Sequence, residues 1–241
     1  MSLKAVALNK RSKATSMESK TSDQIRYTKR WFCYFDLLGF RSLVERNDID
    51  QVMPLYQKAL VHLEKSPDEM RKLGVYISWF SDTFIIFSRG GKAEDFANIE
   101  HVGRVFFQHL ILNEIPVRGA LTFGDLYSQQ ERNIFIGPAL IDAYCYGEGQ
   151  DWLGFVLTPS AIEQMEKVGL SARERFAYRQ VKTTGVLKTG VTGPVFAFAF
   201  NNGLVSGKNP YIKALTAMKE KAGSKNAEKY ERTLRFVSSS A

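Results

Sequence analysis

The sequence predicts an α+β fold with a ferredoxin-like order of elements, βαββαβ, followed by additional C-terminal strands and a helix. Two apolar, aromatic runs lead to this prediction, residues 31–40 and 76–87, and each contains an aspartate near its middle. Runs of this kind are typical of strands buried on both faces. The segment between them has a helical pattern, so a right-handed crossover makes the two runs parallel and leaves room for a strand between them.

The second run predicts a β-hairpin, because Ser81 and Asp82 have turn chemistry and lie midway along it. If the return strand lies beside the first strand, the tip with Asp82 is next to Asp36. A carboxylate in an apolar run is costly unless something pairs with it, and two convergent carboxylates suit a hard divalent cation. The alternative is one turn aspartate and one helix-capping aspartate with no joint role.

The remaining elements follow from periodicity and breakers. Helices are predicted over residues 48–65, 93–113, 138–146 and 158–168, and strands over 116–125, 133–137, 176–184 and 194–201, before a basic helical tail from Pro210. We expect three parts: a disordered basic tail over 1–26, a core over 27–157, and an extension over 158–241 that packs on the core or on a dimer partner.

The net charge of +8 is concentrated at the two ends of the chain. Residues 1–30 carry eight Lys and Arg against two acidic residues, and residues 208–241 carry eight against three. The central part has an acidic excess, so a nucleic-acid-binding role is disfavoured. No run approaches the ~20 apolar residues of a membrane span. Cys33 and Cys145 lie in apolar patterns and are expected to be reduced and packed, in a cytoplasmic protein.

Four segments carry a resemblance to a known family. These are Phe-Asp-Leu-Leu-Gly-Phe at 35–40, Phe-Ser-Asp at 80–82, Val-Arg-Gly-Ala at 117–120 and Ile-Gly-Pro-Ala at 136–139. Together they resemble the catalytic domain of class III nucleotide cyclases over about residues 31–157. The greatest similarity is to the pyrimidine cyclases of the Pycsar anti-phage systems, which make cyclic UMP or cyclic CMP.

The resemblance implies a homodimer with active sites at the subunit interface and a nucleoside triphosphate substrate. Two Mg²⁺ or Mn²⁺ ions per site would be held by Asp36, Asp82 and the backbone carbonyl of Leu37. The ribose 3′-hydroxyl would attack the α-phosphorus in line and expel pyrophosphate. The product would act on a separate effector that responds to cyclic nucleotides.

Three further residues are candidates for the phosphate side of the site. Arg118 matches an arginine that contacts the triphosphate in many class III enzymes; the alternative is an arginine paired with a structural carboxylate. Phe40 and Arg41 begin a helix directly after Gly39 and would face the phosphates.

The base-reading positions depart from the purine pattern. Adenylate and guanylate cyclases have a Lys or Glu four residues before the second metal aspartate, where this sequence has Ser78. A second position holds Ile134, with Asn133 beside it. Such side chains do not read a purine edge in the usual way, and this costs base discrimination. The resemblance favours UTP over CTP, with Ser78 and Asn133 as substrate-binding candidates.

The positions of the usual transition-state Asn and Arg fall at Ile141 and Cys145, and neither side chain can do that work. Tyr144, a further substrate-binding candidate, and Tyr146 are close by, although either is equally an interface aromatic. The leading hypothesis is a uridylate cyclase of antiviral defence. The alternatives are a purine cyclase and an inactive cyclase-like module for nucleotide binding or dimerisation.

Overall fold

The computed structural model describes residues 26–46, 49–64, 67–171, 178–181, 186–188, 191–200 and 209–239. The predicted disordered tail lies outside these residues, apart from Arg26. The strands in the described part are β1 (Thr28–Leu37), β2 (Val75–Phe80), β3 (Thr83–Ser88), β4 (Val117–Gln129), β5 (Ile134–Ile136), β6 (Phe155–Leu157), β7 (Tyr178–Val181) and β8 (Val195–Phe198). The helices are α1 (Phe40–Glu45), α2 (Ile49–Glu64), α3 (Pro67–Lys72), α4 (Ala93–Leu112), α5 (Pro138–Glu148), α6 (Pro159–Lys167), α7 (Pro210–Lys221) and α8 (Ser224–Ser238).

All eight strands belong to one sheet, with the order β2-β3-β1-β4-β6-β8-β7 and β5 paired to β4. β3 lies between β1 and β2 and is antiparallel to both, so β1 and β2 are parallel. This is the arrangement that the crossover argument predicts. It places the turn between β2 and β3 at the carboxyl end of β1.

Strand β1 is buried on both faces, as its composition predicts. Its odd-numbered side chains, such as Trp31 and Phe35, pack among the helices of the main core. Its even-numbered side chains Phe32 and Tyr34 lie in a second cluster with Ala139 and Ala143 of α5. Side chains alternate along a strand, so Asp36 continues the face that α5 covers.

The C-terminal part differs from the predicted plan in two ways. β6 is a central strand parallel to β4 that the sequence did not indicate, because only three residues of it pair. The basic tail forms two helices, α7 and α8, rather than one. The two predicted C-terminal strands, β7 and β8, are confirmed and continue the same sheet. The expectation for the two cysteines holds only for Cys33, because Cys145 is exposed. None of the described helices combines the length and the apolar composition of a membrane span.

Candidate active site

The two aspartates singled out in the sequence lie at one edge of the sheet. Asp36 is paired in register with Thr83, the residue after Asp82. The backbone N–H of Leu37 donates to the carbonyl oxygen of Asp82 at 3.0 Å, which ties the hairpin turn to the end of β1. Ser81 has a φ of 56°, in the left-handed region that tight turns use. The local turn therefore brings Asp82 beside Asp36.

Arg118 lies opposite Asp36 on the neighbouring strand and bonds to it. Its Nε donates to Oδ2 of Asp36 at 2.9 Å, and its Nη2 lies 2.5 Å from Oε2 of Glu148. Its Nη1 donates to the backbone carbonyls of Glu148 and Gln150 at 3.0 and 3.1 Å. Only 6% of Arg118 is exposed. The buried guanidinium thus pairs with protein groups, which is the alternative to a triphosphate contact.

Glu148 is a site residue that the sequence reading missed. It ends α5, where Gly147 lets the helix approach β1: a Cβ on Gly147 would lie 2.5 Å from Cδ1 of Tyr34. The hydroxyl of Tyr34 donates to Oε1 of Glu148 at 3.3 Å. Nothing in the sequence around Glu148 distinguishes it from an ordinary helix-end glutamate. Only the register of β1 against β4 and the path of α5 bring Glu148 to Arg118.

The carboxyl group of Asp36 has an unusual acidity. The pKa of Asp36 is raised to about 7, chiefly by burial; Arg118 lowers this pKa, and the charges of Glu148 and Asp82 raise it. A buried carboxylate with two acidic neighbours favours a proton or a cation, because its charged form lacks water and meets like charge.

The donor set fits a divalent cation held partly by a ligand. Among the described residues, no group of three or more His, Cys, Asp and Glu side chains is placed to hold a metal ion. Mg²⁺ is commonly bound through one or two carboxylates together with substrate phosphates, rather than by a complete protein cage. Asp36 and Asp82, with the backbone carbonyl of Leu37, are the residues at this edge that would take that part.

The two candidates at the start of α1, Phe40 and Arg41, have different surroundings. The side chain of Phe40 is 8% exposed and packs against Tyr56, with ring centroids 5.5 Å apart. Its ring belongs to the main core. The side chain of Phe40 therefore does not face the phosphates as expected, and only its backbone is near the strand end. Arg41 is 88% exposed and pairs with Glu45 one turn later, at 2.7 Å. Its side chain follows the helix surface in this structure.

The structure brings the two base-reading candidates together. The hydroxyl of Ser78 on β2 donates to Oδ1 of Asn133 at 3.2 Å. Both line a cavity of about 200 Å³ whose other walls are Trp79, Phe80, Thr83, Ile85 and Phe135. Since Thr83 is also the register partner of Asp36, this cavity adjoins the carboxylate edge.

Tyr144 lies on the outer surface of α5, apart from the cavity lined by Ser78. It is 51% exposed and packs edge-on against Tyr34, with ring centroids 5.6 Å apart. Its neighbour Asp142 is tied inward instead, where its Oδ2 accepts from Ser160 at 2.7 Å and from Thr122. Tyr146 donates to the carbonyl of Thr192 at 2.5 Å. In the described part of the chain, the ring contact of Tyr144 is thus with Tyr34, which is not one of the candidate residues.

The chain is similar in structure to known proteins, but the sequence comparisons found no match. No protein-family model matches the sequence, and no curated protein matches it. The catalytic core of a rhodopsin-guanylyl cyclase with converted specificity, in complex with ATPalphaS, has a TM-score of 0.54 and 12% identity over 71% of this chain and 96% of that one. The guanylate cyclase domain of RhGC from Catenaria anguillulae, in complex with GTP, has a TM-score of 0.52, 12% identity, and coverage of 71% and 96%.

A bacterial enzyme has a similar fold. The adenylyl cyclase CyaB from P. aeruginosa has a TM-score of 0.51 and 13% identity, over 76% of this chain and 97% of that one. These matches span nearly the whole of each of those chains. The chain therefore has the α+β fold of adenylyl and guanylyl cyclase domains.

Proposed function

We propose that this chain is a nucleotide cyclase, which converts a nucleoside triphosphate to its 3′,5′-cyclic nucleotide and pyrophosphate. The observation that carries the proposal is the convergence of Asp36 and Asp82 at one sheet edge, joined by the 3.0 Å bond from Leu37 to Asp82. The cyclase-domain fold supports it, as does a cavity of about 200 Å³ whose lining includes Thr83, the register partner of Asp36.

The residues at this edge would have two roles, metal binding and positioning of a metal ligand. Asp36, Asp82 and the Leu37 carbonyl would hold two Mg²⁺ or Mn²⁺ ions, which supply charge neutralisation of the triphosphate and a lower pKa for the 3′-hydroxyl. Arg118, held by Glu148, fixes the orientation of the Asp36 carboxylate. Arg118 thereby acts as a positioning residue; a direct contact with the triphosphate would require it to leave this pairing.

For the base we propose a pyrimidine, with UTP ahead of CTP. Ser78 and Asn133 form a small polar pair in a cavity with mostly apolar walls. The Ser hydroxyl and the Asn amide can each donate and accept hydrogen bonds, and so can match the donor and acceptor groups on the edge of a pyrimidine. A purine substrate is the second candidate, since similar domains are described with GTP and with ATPalphaS.

We further propose that the enzyme is a homodimer with Tyr144 at the interface. Large apolar side chains are exposed on α5 and at the hairpin: Ile141 is 62% exposed, Tyr144 51% and Phe80 84%. Exposed apolar groups of this kind are typical of interaction surfaces. A partner's residues would then supply the groups that Ile141 and Cys145 lack. The product would serve as a second messenger in antiviral defence and act on a separate effector; this part rests on the sequence resemblance.

An inactive cyclase-like module is the candidate from another class. One observation favours it: the donors of Arg118 are engaged by protein groups, with no nitrogen left for a phosphate. Such a module would bind a nucleotide without turning it over.

The test is incubation of the purified protein with ATP, GTP, CTP and UTP in turn, with Mn²⁺, followed by mass spectrometry of the products. Cyclic UMP as the main product supports the full proposal. A cyclic purine nucleotide keeps the cyclase and rejects the pyrimidine assignment. Binding of nucleotide by calorimetry without any cyclic product supports the inactive module.

A further inference from the structure

A second cavity lies on the helical side of the sheet edge, between the start of α1 and the C-terminal helices. We call it the C-terminal cavity; its volume is about 350 Å³. Its lining includes Leu38, Gly39 and Arg46 near α1, and Met218, Lys229 and Tyr230 on the C-terminal helices. The charged pair of Lys221 and Glu114 lines it as well. Neither Asp36 nor Asp82 lines it, so it is separate from the candidate active site.

The cavity has an apolar floor and a basic rim. Met218 and Tyr230 are buried, at 3% and 7% exposure, and form part of the main core. Gly39, with a φ of 82°, borders open space: a Cβ built on it would meet nothing within 4 Å. A pocket with buried apolar walls and a few polar groups is the usual form of a small-molecule site, and 350 Å³ lies within the usual size range.

Three cations and one anion surround this cavity. Lys221 is paired with Glu114, and that pairing holds the pKa of Glu114 below its usual value. Within the described part of the chain, Arg46 and Lys229 have no ion-pair partner. Two uncompensated cations beside an apolar floor match a ligand that has phosphate at one end and an apolar or flat group at the other.

We propose that the C-terminal cavity binds a small phosphate-bearing molecule of about mononucleotide size, with its phosphate on Arg46 and Lys229 and its apolar part against Met218 and Tyr230. Such a ligand would also contact Leu38 and Gly39, which directly follow the strand end that carries Asp36. The cavity therefore connects the C-terminal helices with the candidate active site, through backbone that is tied by Leu38 N–H to the carbonyl of Pro116 at 2.8 Å.

The test uses the full chain labelled with ¹³C at its methionine methyl groups. Uridine monophosphate, adenosine monophosphate and inorganic pyrophosphate are titrated in the presence of a chelator, so that no divalent ion supports binding at Asp36 and Asp82. We expect the Met218 methyl resonance to move with a dissociation constant of about 1 mM or lower. The methyl of Met165, which is buried elsewhere in the core, should stay in place.

Variants identify the groups that bind the phosphate. Arg46→Gln or Lys229→Gln should each weaken the response of Met218 about tenfold, the loss expected for one charge-assisted hydrogen bond. Lys167→Gln is the matched control, because Lys167 is a surface lysine on α6 paired with Glu163. All three variants change surface side chains, so the fold should be retained.

Three outcomes would overturn the proposal. The first is an unmoved Met218 resonance with all three probes at 10 mM (roughly tenfold above that dissociation constant). The second is a response that Arg46→Gln and Lys229→Gln leave unchanged. The third is a response only to vesicles that contain phosphatidic acid, which would assign the basic rim to lipid headgroups instead of a free phosphate ester.

Discussion

Asp36 and Arg118 are directly opposite each other on adjacent antiparallel strands, and Nε of Arg118 lies 2.9 Å from Oδ2 of Asp36. The pair is nearly buried, with side-chain exposures of 8% for Arg118 and 13% for Asp36. A buried ion pair is costly to form but more costly to break, because the remaining charge has no partner. The stability of the sheet therefore depends on this pair, and so on whether the Asp36 carboxyl group in the candidate active site is charged.

Replacing Arg118 should destabilise the protein strongly. Arg118→Met would leave the carboxylates of Asp36 and Glu148 without their shared partner, at a cost of about 3–5 kcal/mol. For a domain of this size this is on the order of 10 °C in Tm. Thermal unfolding followed by circular dichroism measures the loss. Arg41→Met is the matched control, and a similar loss in both variants would contradict the assignment, because Arg41 is 88% exposed.

The pKa of Asp36 predicts how stability depends on pH. Because the pKa is raised to about 7 in the folded protein, the native state binds more protons than the unfolded state between about pH 4 and 7. The contribution of Asp36 to the free energy of unfolding is therefore fully present at about pH 4 and is lost as the pH rises to 7. Without divalent ions, the Tm of the native protein should fall relative to that of Asp36→Asn across this range. Parallel curves for the two proteins would show that Asp36 has an ordinary pKa.

Metal binding should depend on pH for the same reason. A carboxyl group must lose its proton to ligate a metal ion, so Mn²⁺ affinity should rise about tenfold per pH unit up to pH 7 and level off above it. Calorimetry between pH 5.5 and 8.5 measures this. Asp82→Asn should bind Mn²⁺ much more weakly at every pH, whereas Asp125→Asn, at an exposed surface pair with Lys29, should bind as the native protein does.

The polar pair in the small cavity should control the choice of base. Asn133→Ala removes the partner of Ser78, so we expect the ratio of kcat/KM for UTP over that for ATP to change about 3- to 10-fold, the worth of one neutral hydrogen bond. Steady-state kinetics with each nucleotide gives this ratio. The same ratio in Asn133→Ala, Asn98→Ala and the native protein would show that Asn133 takes no part in base recognition.

The strands around Asp36 and Asp82 were predictable because strong local signals agree there. One placement of the hairpin, with its return strand beside β1, satisfies the apolar runs, the Ser81–Asp82 turn and the right-handed crossover. The structure has this placement. β6 was not predictable in the same way. Its three paired residues Phe155–Leu157 are too few to show a period, and only pairing with β4 and β8 makes them a strand.

The partners of Arg118 could not be predicted from the sequence, for a different reason. Whether an arginine on β4 meets a carboxylate or a ligand depends on the register of β4 against β1, and a shift of one residue would move it to the other face. Glu148 depends on how closely α5 approaches β1, which is set by the missing side chain of Gly147. Long-range packing decides both, whereas sequence periodicity reports only local structure.

The most direct test of a nucleotide cyclase with Asp82 in its active site compares the native protein with Asp82→Asn and Asp125→Asn, each incubated with UTP and Mn²⁺. Cyclic product and pyrophosphate are both measured. We expect equal amounts of the two from the native protein and from Asp125→Asn, and neither from a folded Asp82→Asn variant. Undiminished cyclic product from Asp82→Asn would contradict the claim that the carboxylate edge is the active site.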